Sequence, residues 1–144
     1  MKLSVLYSIV CLVIFVNAMF GSVMPVRAQT EAKGPSDTEI ATLMKTTLSG
    51  IAGKESLMLT VEYAPGASSS KHRHNAHVFV YVLEGSIIMQ VEGEQAVTVA
   101  KGQTFYESPS DIHVVSKNAS TTERAKFLVL MVKDEGTPVV IPVK

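Results

Sequence analysis

The chain contains one cysteine, Cys11, and it sits inside an apolar N-terminal run. No intrachain disulfide can therefore staple the fold, and stability has to come from a packed core. The sequence also lacks any basic run and any interleaving of Arg or Lys with aromatics, which argues against a nucleic-acid partner. Beyond the N-terminus, no segment is apolar enough to span a bilayer. Helical periodicity is almost absent. What remains is a succession of short apolar segments cut by Gly, Pro, Asn and Asp.

The N-terminus pairs Met1-Lys2 with the apolar stretch Leu3 to Val16, and Val26-Arg27-Ala28 supplies small residues where a signal peptidase reads. This is the layout of a secretory signal peptide over 1–28, with a retained membrane anchor as the alternative, since the apolar stretch reaches nearly to Phe20. Cys11 lies far from the break and does not resemble a lipid-attachment cysteine. Cleavage would leave residues 29–144, enough for one domain. The mature chain would lose Lys2 and Arg27 but no acid, leaving it slightly acidic, in the periplasm or outside the cell.

Residues 29–54 read as a polar leader and a first short element. Ser36 to Glu39 is a possible capping box before Ile40, Leu43, Met44 and Leu48. The β-branched Thr42, Thr46 and Thr47 and the stop at Gly50 favour a strand slightly. A barrel domain is expected over 55–144. Leu57, Leu59, Val61 and Tyr63 alternate with Met58, Thr60 and Glu62, the period of a half-buried strand. Val78 to Leu83, Ser86 to Glu92, Gln95 to Val99, Gln103 to Tyr106, Ile112 to Val115, Lys126 to Lys133 and Val139 to Val143 continue the pattern. Short strands separated by turn signals predict an all-β sandwich or barrel. Closure as a barrel or jelly roll would also remove exposed edges.

Three of the four histidines fall within six residues, as His72, His74 and His77, and the fourth is His113. On a strand His72 and His74 share a face while Arg73 points away. Imidazoles suit Fe, Mn, Ni, Cu or Zn, so His113 on a neighbouring strand would complete three donors around a divalent transition metal. His77 has the parity opposite Val78, away from the pocket, unless the Asn75-Ala76 step resets it. It stays open as a fourth ligand.

The stretch from Gly66 through His72 and His74 to Gly85 resembles the first motif of the cupin superfamily. Gly102 and His113 resemble the second motif more loosely: Ser108-Pro109-Ser110 replaces P-x-G, and Asn118 comes one place late, with Lys117 in its position. The resemblance runs over about Glu55 to Lys133. It implies a double-stranded β-helix, or jelly-roll barrel, with a small-molecule ligand and a homodimer. It also implies a missing carboxylate, because Val78 or Phe79 stands where the family places a glutamate. A three-histidine site follows from the resemblance, as in some dioxygenases acting on thiols or diketones.

Val78, Val80 and Val82 would line an apolar pocket, with Phe79 and Tyr81 in the core, over the barrel or at a dimer contact. Gln90 and Tyr106 are candidate pocket hydrogen-bonders, and Glu107 reads as solvated. Asn118-Ala119-Ser120 matches a glycosylation sequon. Three functions fit: a metal-dependent oxygenase, a non-catalytic metal or small-molecule binding module, and a structural barrel with vestigial histidines. The absence of a clear general base counts against an isomerase or hydrolase.

Overall fold

A computed structural model describes residues 37–144. The expected signal peptide and leader lie outside the described residues. The described chain is all-β, in two five-stranded antiparallel sheets. The strands are β1 (Thr38–Thr47), β2 (Lys54–Tyr63), β3 (His72–Arg73), β4 (Ala76–Glu84), β5 (Ser86–Val91), β6 (Val97–Ala100), β7 (Thr104–Glu107), β8 (Ile112–Asn118), β9 (Ala125–Asp134) and β10 (Ile141–Pro142). One sheet runs β1-β2-β9-β4-β7 and the other β10-β3-β8-β5-β6.

Alternation sets the core. Leu57, Leu59, Val61 and Tyr63 of β2, Val78, Val80 and Val82 of β4, and Phe127, Val129 and Met131 of β9 are all buried. Ile87 and Met89 of β5 meet them from the second sheet. The undecided first element is a strand, β1, paired antiparallel with β2 from Thr38↔Tyr63 to Thr47↔Glu55. The barrel sheet therefore extends N-terminal of residue 55.

A buried ion pair interrupts this apolar interior. Lys133 and Glu55 face each other across β9 and β2, each nearly inaccessible, with Lys133 Nζ 2.5 Å from Glu55 Oε1. Lys133 also donates to the Thr137 carbonyl at 2.6 Å. The Lys133 ammonium against it is the main cause holding the Glu55 carboxyl below its ordinary value, against the opposing effect of burial. A carboxyl whose folded pKa is depressed stabilises the fold above its unfolded pKa, here about 4.5. That contribution is lost as pH falls through the folded pKa. The unfolding temperature is expected to drop between about pH 5 and about pH 3. Glu55→Gln, less stable at neutral pH because it strands Lys133, should lose less over that interval. Thermal melts across the range check this, and identical pH profiles would refute it.

Candidate metal centre

β3 is only two residues long, but its register is decisive: His72 pairs directly with His113 of β8. Cross-strand partners project from the same face of a sheet. His74 joins them by strand parity, while Arg73 points outward and is exposed. The ring centroids lie 4.9 Å apart for His72–His74, 5.3 Å for His72–His113 and 6.2 Å for His74–His113. All three rings line a cavity of about 90 Å³ between the sheets, whose wall is mostly apolar and includes Val78, Val80 and Met131.

The rings are also oriented. His72 Nδ1 lies 2.7 Å from the Ser70 carbonyl, and His74 Nδ1 bonds the Val139 carbonyl. A carbonyl only accepts, so each Nδ1 carries a proton and donates, and in the neutral ring the lone pair then lies on Nε2. His113 is buried with neither ring nitrogen hydrogen-bonded. Burial is the largest cause lowering the His72 pKa, outweighing the opposing Ser70 carbonyl and helped by His74 and His113, so the neutral ring is favoured. Neutral, pre-oriented imidazoles are what ligation needs.

Glu107 overturns the expectation of a solvated side chain. It is 3% exposed, and its Oε2 lies 3.0 Å from His113 Nε2 and 3.7 Å from His74 Nε2. The 3.0 Å approach is off the hydrogen-bond direction, so it leaves His113 unsatisfied. On β7, Glu107 pairs directly with Val78 of β4. Val78 holds the position where the cupin pattern has its glutamate. The carboxylate expected to be missing is therefore present, carried by the adjacent strand. Parity with Phe105, two residues earlier and against His113 at 5.9 Å between centroids, was the sequence signal for its inward direction.

Among the described residues, no group of three or more His, Cys, Asp and Glu side chains is placed to hold a metal ion as it stands. The four donors are gathered, with Glu107 lying against His113. The donor set nevertheless fits a divalent ion: two Nε2 lone pairs are fixed by carbonyl contacts, one buried imidazole lacks a partner, and one buried carboxylate sits beside them.

The other candidates lie elsewhere. His77 keeps the parity opposite Val78 and is exposed on the outer face, where its Nδ1 lies 2.7 Å from the Tyr106 hydroxyl. The Asn75-Ala76 step does not turn it inward, so His77 is not part of the cluster. Tyr106 is 49% exposed on that same face, with its ring 5.3 Å from Phe79. Phe79 and Tyr81 are exposed there too, outside the core. Gln90 donates to the Glu94 carbonyl at 2.8 Å in a surface turn, away from the cavity.

The loose second motif also has a physical explanation. Val91 pairs with His113 and Gln90 with Val115, so Val114 is an extra, bulged residue on β8. The bulge brings His113, Ser116 and Asn118 to the same buried side despite their odd spacings. One inserted residue thus accounts for Asn118 arriving one place late. Its amide donates to the carbonyls of Ala64 and Glu123 at 3.0 and 2.8 Å, and its Oδ1 accepts from Ser120 N at 2.9 Å. Buried and fully engaged, Asn118 is a poor glycosylation acceptor. Where P-x-G is usual, Asp111 closes the turn by accepting from Ser108 N at 2.7 Å.

Two facing antiparallel sheets around a histidine-lined cavity define a small β-barrel of the double-stranded β-helix class. The cupin-domain family pattern matches residues 59–131, and the chain belongs to the cupins. Solved structures agree on the fold. A polyketide cyclase from Streptomyces resistomycificus is 23% identical with a TM-score of 0.59, over 76% of this chain and 72% of that one. A cupin-2 domain from Rhodospirillum rubrum is 18% identical with a TM-score of 0.58, over 75% and 66%. KdgF from a Halomonas species is 16% identical with a TM-score of 0.56, over 69% and 82%. No curated protein matches the sequence.

Proposed function

We propose that this cupin holds one divalent transition metal through His72, His74, His113 and Glu107, and uses it on a small organic molecule in the cavity. The observation that carries this reading is the paired anchoring of His72 and His74 Nδ1 to backbone carbonyls beside a buried, unsatisfied His113. Such outer contacts fix tautomer and direction for ligation. Three neutral imidazoles and one carboxylate leave a divalent ion with a net charge of about +1, suited to one anionic ligand.

A bound ion would supply Lewis-acid or redox chemistry to that ligand. The chain's own residues bind and orient, and the apolar wall excludes water. No separate proton-transfer side chain stands in the cavity besides the donors and four hydroxyls, those of Thr38, Tyr63, Ser69 and Ser116. That favours oxygenation, in which the metal carries the difficult chemistry, over hydrolysis or isomerisation.

The test is elemental analysis of the purified protein, then oxygen uptake by the iron-loaded form against thiols, diketones and phenolics. About one metal per chain with substrate-dependent uptake is the expected result. Absence of metal would overturn the site. Full loading without uptake would favour the alternative, a binding module without turnover.

A further inference from the structure

The cavity has a second polar end. Tyr63, the last residue of β2, is 2% exposed, and its hydroxyl lies 2.6 Å from Ser69 Oγ and 2.9 Å from Ser116 Oγ. All three residues line the same cavity as the histidines. The cluster is held firmly: the Tyr63 ring packs edge-on to Phe127 at 5.3 Å, and Ser69 N donates to the Ser116 carbonyl at 2.9 Å.

A hydrogen count gives the cluster its meaning. Three hydroxyls bring three hydrogens, and the two contacts between them consume two. The third finds no acceptor among the described residues. All three hydroxyls line the cavity, so the spare hydrogen is available to an oxygen of a ligand placed there. No Lys or Arg lines the cavity, so a carboxylate at this end would be a buried anion without a counter-charge.

The distance between the two ends follows from β8. His113 and Ser116 are three residues apart with Val114 bulged between them, which separates their backbones by about 7–10 Å. At roughly 30 Å³ per water, the cavity of about 90 Å³ has room for about three waters. That describes a short chain, polar at both ends and apolar between them.

We propose that the cavity selects a short ligand with one anionic group at the metal and a neutral carbonyl oxygen at the far end, bound by the hydroxyls of Tyr63, Ser69 and Ser116. The anionic half rests on the metal-centre reading above. The carbonyl half rests on the hydroxyl cluster alone.

Calorimetric titration of the zinc-loaded protein with 4-oxopentanoate and 4-methylpentanoate tests it, because the two share charge and size and differ in the carbonyl. The ketone is expected to bind about tenfold more tightly. Succinate, anionic at both ends, should bind more weakly than the ketone. In the triple variant Tyr63→Phe, Ser69→Ala, Ser116→Ala, zinc content should be retained and the preference should vanish. Equal affinities in the unsubstituted zinc-loaded protein would overturn the inference, and that arm needs no variant to fold. A preference that survives the triple variant, or tighter binding of succinate, would overturn it as well. Failure to take up zinc would instead sink the metal-centre reading, and the inference with it.

Discussion

Glu107→Gln is expected to weaken zinc binding by roughly 100-fold, with the fold intact. The amide keeps the shape of the side chain but cannot supply an anionic oxygen to the ion. Changes even to the residues behind metal ligands cost about 10–100-fold, so loss of a direct ligand belongs at the upper end or beyond. Glu107 faces His113 at 3.0 Å from a position paired with Val78. The double exchange Val78→Glu, Glu107→Val should therefore restore much of the affinity, because it returns the carboxylate to β4 across one strand spacing of about 4.8 Å. His77→Ala, on the outer face, should leave affinity unchanged. Competition titration against a chromogenic chelator measures all three. Wild-type affinity in Glu107→Gln would remove Glu107 from the ligand set.

Gly85→Ala is expected to destabilise the barrel by about 3–4 kcal/mol, among the larger effects of any single substitution. Gly85 lies at the turn from β4 to β5 with φ +67°, a left-handed conformation that costs an L-residue about 1–2 kcal/mol. An added Cβ would also stand 2.6 Å from the Arg124 carbonyl oxygen and 3.2 Å from Ala125 Cα. Both are backbone atoms at the start of β9 and cannot swing aside. Gly93→Ala is the control: its φ is +85°, but nothing lies within 4 Å of the added Cβ. It should show the conformational cost without the clash. Chemical denaturation of both variants checks the prediction, and equal losses would mean that the close approach does not matter.

Much of this was legible in the sequence because it depends on local alternation. The buried faces of β2, β4 and β9 follow period two, as does the common direction of His72 and His74. His77 also keeps its simple parity. What could not be read depends on how distant strands pair. Glu107 becomes a candidate ligand only once β7 is known to lie beside β4 with Glu107 opposite Val78. The bulge at Val114 is likewise a matter of register between β5 and β8, and the sequence hinted at it only through the late Asn118. The hydroxyl cluster joins β2, β8 and the loop before β3, which no single segment displays. The first element was ambiguous because β1 is a largely exposed edge strand that carries little of the apolar alternation by which inner strands are recognised.

The bulge at Val114 has an evolutionary consequence. Point substitutions can retune the polarity of either end of the cavity, but the separation between the ends along β8 is counted in whole residues. Removing Val114 alone would restore regular alternation and leave Ser116 and Asn118 on the side that His113 faces; the separation changes only by a pair of residues, since one further deletion would turn both away. Ligand length in this lineage is thus inherited as a discrete trait, open to change by insertion or deletion and shielded from gradual drift.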